Sequence, residues 1–330
     1  MPRIAGAISL IAGVSAAISV PAGSAVAQAF TAHAPTSTQT LTVSSLNNAG
    51  PGSLRAAILS ANATPAGEST LINFGRHGTI TLTGRLPTIA RKVTINAISA
   101  PTHVSGGPPV VALNFNGHQG LLFGVGSGGS KLLGAAVDNA SGSGVTLNAN
   151  SITLNGNYIG LNLAGAKAGN GGSGVFVWAA SNGNFIGLNN SRAPGVVANV
   201  ISGNRVNGIE LGGSSSNTVV DNRIGTNAAG TAAIANGGDG IYITHGARGN
   251  EIGGTAFVNT VTGKANNPTG SKGTVPPVFV VPPLGNLISG NARNGVLIDA
   301  LSRGNALEGT SSGRRRAGTA PSATPATACG

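Results

Sequence analysis

The chain has 330 residues with aromatic residues at 3% and charged residues at 8%, so its interior must be filled by Val, Ile, Leu and Ala. Its one cysteine, Cys329, stands next to last, which excludes an internal disulfide as the source of stability. Net charge is +11, a balance that favours acidic polymers such as polyuronates, anionic cell-wall glycans or nucleic acid.

In chain order, Met1-Pro2-Arg3, the apolar run Ile4 to Val20 and Ala25-Val26-Ala27 have the pattern of a secretory signal, with cleavage expected after Ala27. A membrane anchor is the alternative, but Gly6, Gly13 and several serines interrupt the run and Pro21 closes it. Residues 28–40, rich in Thr, Ala, Ser and Pro, read as a disordered leader. The mature chain is then expected to be secreted or held at the cell surface, with no transmembrane segment.

Residues 41–118 read as an N-terminal cap and first coils. Order is expected to begin at Leu41-Thr42-Val43. Ser53 can cap a helix over Leu54–Asn62 whose apolar face is Leu54, Ala57, Ile58 and Ala61. Such a helix suits the end of a stacked structure, where strand edges and apolar core need cover. Strands follow at Leu71–Phe74, Thr79–Leu82, Val93–Ile95 and Val110–Leu113.

From about residue 119 to 308 the chain repeats one phrase: Gly, apolar, any, apolar. It occurs at Gly144-Val145-Thr146-Leu147, Gly174-Val175-Phe176-Val177, Gly208-Ile209-Glu210-Leu211, Gly240-Ile241-Tyr242-Ile243 and Gly295-Val296-Leu297-Ile298. The spacing is about 30 to 34 residues, apart from a Pro-rich insertion at 254–285 that reads as either disordered or a docking flap. Each copy precedes a short strand led by Asn157, Asn184, Asn217, Asn250 or Asn305. The apolar residues at i and i+2 share one face, and a strand this short cannot bury that face alone. Coils stacked at about 4.8 Å can share one continuous core. The pattern predicts an all-β parallel β-helix solenoid, with Asn204, Asn217, Asn222, Asn250, Asn286, Asn291 and Asn305 at its corners.

Gly52-Ser53-Leu54-Arg55-Ala56-Ala57-Ile58 and Ala61-Asn62, with Ile201-Ser202-Gly203-Asn204, Ile224-Gly225-Thr226 and Asn236-Gly237-Gly238-Asp239-Gly240, resemble a family of bacterial exported proteins. That family has right-handed parallel β-helix repeats of the pectin-lyase-like fold behind a Gly-Ser-Leu-Arg-x-Ala-Ile segment. The likeness covers about residues 41 to 310 and implies a right-handed coil and extracytoplasmic placement. It implies little about activity, since the family is mostly without assigned chemistry.

Pectin hydrolases and lyases of this fold need clustered carboxylates, whereas this chain has Asp only at 138, 221, 239 and 299. Stacked in register, the phrases place Thr146, Phe176, Glu210, Tyr242 and Leu297 outward on one sheet, with Asn148, Trp178, Gly213 (after a shift at Gly212), Thr244 and Asp299 beside them. Glu210 and Asp299 would then lie on the order of 12 Å apart, beyond the 5 to 9.5 Å of a glycosidase pair. Glu210 reads alone as a solvated surface residue. Phe176, Trp178 and Tyr242 on neighbouring coils, with Glu210 and Asp299, form a candidate surface for sugar rings; the alternative packs Phe176 and Trp178 beneath a lateral loop at 189–198. No spacing of His33, His77, His103 or His118 closes a metal site, no cofactor motif is present, and the scattered basic residues do not suggest specific nucleic-acid binding.

Three functions compete. The first is a surface or extracellular module for an acidic or neutral polysaccharide. The second is a polysaccharide lyase or glycoside hydrolase, and the third an inactive truncated repeat array. For the last, residues 309–330 read as a disordered Arg-rich tail produced by a frameshift near codon 308. GC-rich back-translation of this stretch, read in the neighbouring frame, yields a run matching Ile224 to Ile241. The nucleotide sequence tests it: repeat coding should continue downstream in that frame, and its absence refutes the frameshift.

Overall fold

A computed structural model of the protein describes residues 37–187, 198–254 and 285–313. The expected signal segment, most of the leader, nearly all of the insertion expected at 254–285 and of the lateral loop at 189–198, and the tail from 314 lie outside the described residues. Almost all regular structure is strand, arranged in three parallel sheets of nine, eight and six strands. Successive turns of the chain add one strand to each sheet. One turn contributes Thr153–Asn155, Tyr158–Ile159 and Val175–Val177, and the next contributes Phe185–Gly187, Val200–Ile201 and Ile209–Gly212.

Registers pair like with like. Val145, Val175, Ile209, Ile241 and Val296 stand opposite one another in sequence along the six-stranded sheet. Leu132, Leu154, Ile186, Val219 and Ile252 do the same in the nine-stranded sheet. Val137, Ile159, Ile201, Ile224 and Ile288 do so in the eight-stranded one. These inward residues merge into one continuous cluster, most at 0% exposure. At about 1.5 to 3 kcal/mol for a fully buried aliphatic side chain, this stack is the main source of stability.

The corners are tied by asparagine ladders. Asn157, Asn199, Asn222 and Asn286 form one, Asn170, Asn204, Asn236 and Asn291 a second, and Asn184, Asn217, Asn250 and Asn305 a third. Each Nδ2 donates to the Oδ1 one coil on at 2.8 to 3.1 Å. In most of them Nδ2 also donates to a main-chain carbonyl, as Asn199 does to Leu154 and Asn204 to Ile159. The sequence grouped Asn157 with Asn184, but the two lead strands of different sheets, and Asn157 belongs with Asn199. Ile152 occupies the position one coil before Asn184, and its N–H donates to Asn184 Oδ1. At Gly160, φ is +93° and a Cβ would overlap Ser202 O, so only glycine turns this corner.

The helix Leu54–Asn62 begins at Ser53, whose Oγ accepts from Ala56 N at 3.2 Å, and buries Leu54, Ala57, Ile58 and Ala61. It packs on Thr38–Val43 and Ser69–Phe74, the first two strands of the nine-stranded sheet. Arg55 on this helix donates to Asn48 Oδ1 (2.9 Å), Gly84 O (2.8 Å) and Arg85 O (2.5 Å). The first strand begins at Thr38, ahead of the expected Leu41, because Thr38, Gln39 and Thr40 find partners in Ser69, Thr70 and Leu71. At the other end strand pairing continues past Glu308 into the stretch 309–330 expected to be disordered: Ser311–Gly313 pairs with Leu287–Ser289, which offers a free edge, and sets Ser312 opposite Ile288.

Asp138 is 2% exposed at the end of Ala135–Asp138. Burial pushes its carboxyl up to about 6, against the opposing hydrogen bond from Asn139 Nδ2 at 3.0 Å. The folded state therefore prefers the neutral acid. Stability from this group is complete below the ordinary value of 3.8 and is lost as pH rises through about 6. Asp138→Asn should raise stability by about 2 kcal/mol at pH 7 and leave it unchanged near pH 3.5, measured by denaturant titration at both pH values.

Ile209 is 0% exposed, whereas Glu210 faces outward. Ile209→Asp should therefore abolish cooperative unfolding or cost about 4 kcal/mol or more, and Glu210→Ala about 1 kcal/mol or less. Equal losses in thermal unfolding would contradict the register.

Candidate functional site

The outward row of the six-stranded sheet is Leu122, Thr146, Phe176, Glu210, Tyr242 and Leu297, each opposite the next. The rungs rise by about 4.8 Å. The row begins one coil earlier than the sequence reading had it. Gly120-Leu121-Leu122-Phe123 fits the repeated phrase and forms the strand Leu121–Phe123, which pairs with Val145–Leu147.

Phe176 and Trp178 are brought together, with ring centroids 5.6 Å apart and planes tilted by 56°. Phe176 is half-buried and lies across the next coil at Gly212, where a Cβ would come within 3.1 Å of its ring. Trp178 follows the strand, its main-chain N–H donating to Leu147 O at 2.9 Å, and its residue remains 50% exposed. A half-exposed indole backed by a second ring is an apolar platform held in place.

The two acidic members of the candidate set are occupied by the protein. Glu210 Oε2 accepts from Ser173 Oγ at 2.8 Å and from Asn207 Nδ2 at 3.3 Å, so it ties its coil to the preceding one. Asp299 Oδ2 accepts from Thr244 Oγ1 at 2.5 Å and His245 N at 3.0 Å, and its Oδ1 from Leu301 N, Ser302 N and Ser302 Oγ. The Thr244 bond, supported by those to Ser302, His245 and Leu301, holds the Asp299 carboxyl down to about 2. Tyr242 is half-buried between Glu210 and Leu297 on the row.

At the first rungs a groove of about 280 Å³ opens, lined by Arg85, Gln119, Leu122, Ser143, Thr146 and Trp178. Gly120 and Gly142 complete its wall. Gly120 is dictated by packing, since a Cβ there would overlap Ser143 O and Gly144 O; Gly142 is not, for a Cβ there meets nothing within 4 Å. Glu210, Tyr242 and Asp299 do not line this groove, and no carboxylate among the described residues does.

Arg85, Gln119 and Ser143 were invisible to the repeat reading because they stand on turns outside the phrase. The signal that could have found Gln119 was the early phrase copy beside it. Among the described residues no group of three His, Cys, Asp or Glu side chains could hold a metal ion, and no helix is long and apolar enough to cross a membrane. No protein-family model matches this sequence, and no curated protein aligns with it significantly.

Asp299 carries its own test. Its depressed carboxyl contributes stability above its ordinary value of 3.8 that is lost as pH falls through about 2. Asp299→Asn should destabilise the last coils at pH 7 and make no difference near pH 1.5, read by hydrogen exchange at Thr244 to Ser302.

Proposed function

We propose that the protein is an exported right-handed parallel β-helix, closed at its N-terminal end by the helix Leu54–Asn62, that binds a polysaccharide on its six-stranded face. One observation carries the reading: Trp178 stands half exposed over a groove with an apolar floor at Leu122 and polar groups at Gln119, Ser143 and Thr146. A pyranose ring has an apolar face and a rim of hydroxyls, and this surface offers contacts to both. The signal-like start of the chain and the resemblance to exported bacterial β-helix proteins support placement outside the cytoplasm, on the cell surface or secreted. Binding is favoured over bond cleavage because Glu210 and Asp299 already serve as acceptors for protein donors.

The chain contains a single tryptophan, so its emission reports on this groove alone. A glycan array followed by titration of the hits against Trp178 emission should give saturable shifts. Trp178→Ala, read by calorimetry, should weaken binding about tenfold, the equivalent of about 1.4 kcal/mol, with little change in melting temperature. Tyr242→Ala, two rungs away, should weaken long chains but not short oligosaccharides. Absence of binding to every acidic and neutral glycan would end the proposal.

A further inference from the structure

We infer that the sugar unit received at Trp178 carries a carboxylate, that Arg85 is the group that receives it, and that Arg55 is the positioning residue for Arg85. The inference rests on the glycan-binding reading and adds the ligand's charge and the residue that selects it. Among the described residues Arg85 is the one charged residue lining the groove. Its guanidinium is exposed and makes a bond to Thr88 Oγ1 at 3.3 Å, leaving donors of its planar fork directed to solvent. Such a fork matches a carboxylate with two parallel hydrogen bonds, a fit that neither a hydroxyl nor an ester reproduces.

The loop that carries Arg85 is held from behind. Arg55 Nη1 donates to Arg85 O and Arg55 Nη2 to Gly84 O, while Arg55 Nε and Nη2 bond Asn48. Arg55 stands on the helix Leu54–Asn62, whose apolar face is locked in the core, so the loop inherits the rigidity of that helix. A surface arginine on a free loop would lose much of its freedom on binding; here the backbone part of that loss has been met in folding. The chain's positive charge favours the same class of ligand at long range.

Gly142 gives an independent handle on the groove. A Cβ at this position meets no atom within 4 Å, and the backbone here is not in the left-handed region. The backbone therefore accepts a larger residue on this wall of the groove.

The test uses the full chain and Trp178 emission, with galacturonate, glucuronate and mannuronate tetramers each compared with its methyl ester, and a sulfated neutral tetramer as a further arm. At low salt at least one acid form should bind about tenfold or more tighter than its ester, and the ratio should shrink as salt is raised. Arg85→Gln should bring that ratio to within about twofold, and Arg85→Lys should restore part of it. Arg55→Lys should lower the ratio while the chain keeps a cooperative melt. Gly142→Leu should abolish binding of acid and ester alike at an unchanged melting temperature. A ratio near one in the wild type, or one that survives Arg85→Gln, overturns the carboxylate assignment while leaving glycan binding in place. Equal affinity for the sulfated tetramer overturns selection by fork geometry. Failure of every tetramer to bind overturns this inference; the reading beneath it falls only if the glycan array is blank as well.

Discussion

The asparagine ladder is the interaction on which the rest of the structure depends. A stack of short strands with similar aliphatic residues has little in its core to tell one register from another, because Val, Ile and Leu are nearly interchangeable there. A buried amide is not interchangeable. Asn204 Oδ1 accepts from Asn170, its Nδ2 donates to Asn236 and to Ile159 O, and a slip of one residue would leave all of these groups without partners in a dry interior. Register is therefore set by the cost of an unpaired polar group, and the aliphatic stack supplies stability to whichever register the amides choose.

That division of labour shapes the outer face. With register fixed at three corners, outward residues on successive coils are carried at a constant spacing, and Leu122, Thr146 and Phe176 form a floor without help from any loop. Specific features must then come from side elements. Trp178 leaves the strand at its end, and Arg85 arrives on a turn clamped by a helix far from it in sequence. The groove lies where the repeating part of the chain meets its non-repeating beginning.

This accounts for what the sequence could and could not reveal. Alternation around Gly208-Ile209-Glu210-Leu211 made the inward and outward sets legible, and the outward row follows the expected order from Thr146 to Leu297. Ser53 and the Leu54, Ala57, Ile58, Ala61 face were equally plain, since helix capping and period are local signals. Arg85 and Gln119 were not legible, because their meeting depends on Arg55 reaching across about thirty residues of chain to Gly84 and Arg85. Glu210 looked like a lone surface acid because its partner Ser173 lies 37 residues away, one coil back. Spacing along a chain states which residues share a face; it does not state which side chains have already found each other.

The same ladders set a limit on chemical lifetime. Asn170 and Asn236 are each followed by glycine, the neighbour that least hinders the main-chain nitrogen from attacking the side-chain amide. In the folded protein both amides are buried and held by their neighbours, so the attack geometry is out of reach. An unfolded chain has no such protection, and deamidation would turn a donor into a carboxylate facing Val137 O or Ile201 O, acceptors that it would repel. Time spent unfolded thus ages the chain irreversibly, and a molecule that has lost either amide refolds with a broken rung in one of the three ladders that set its register.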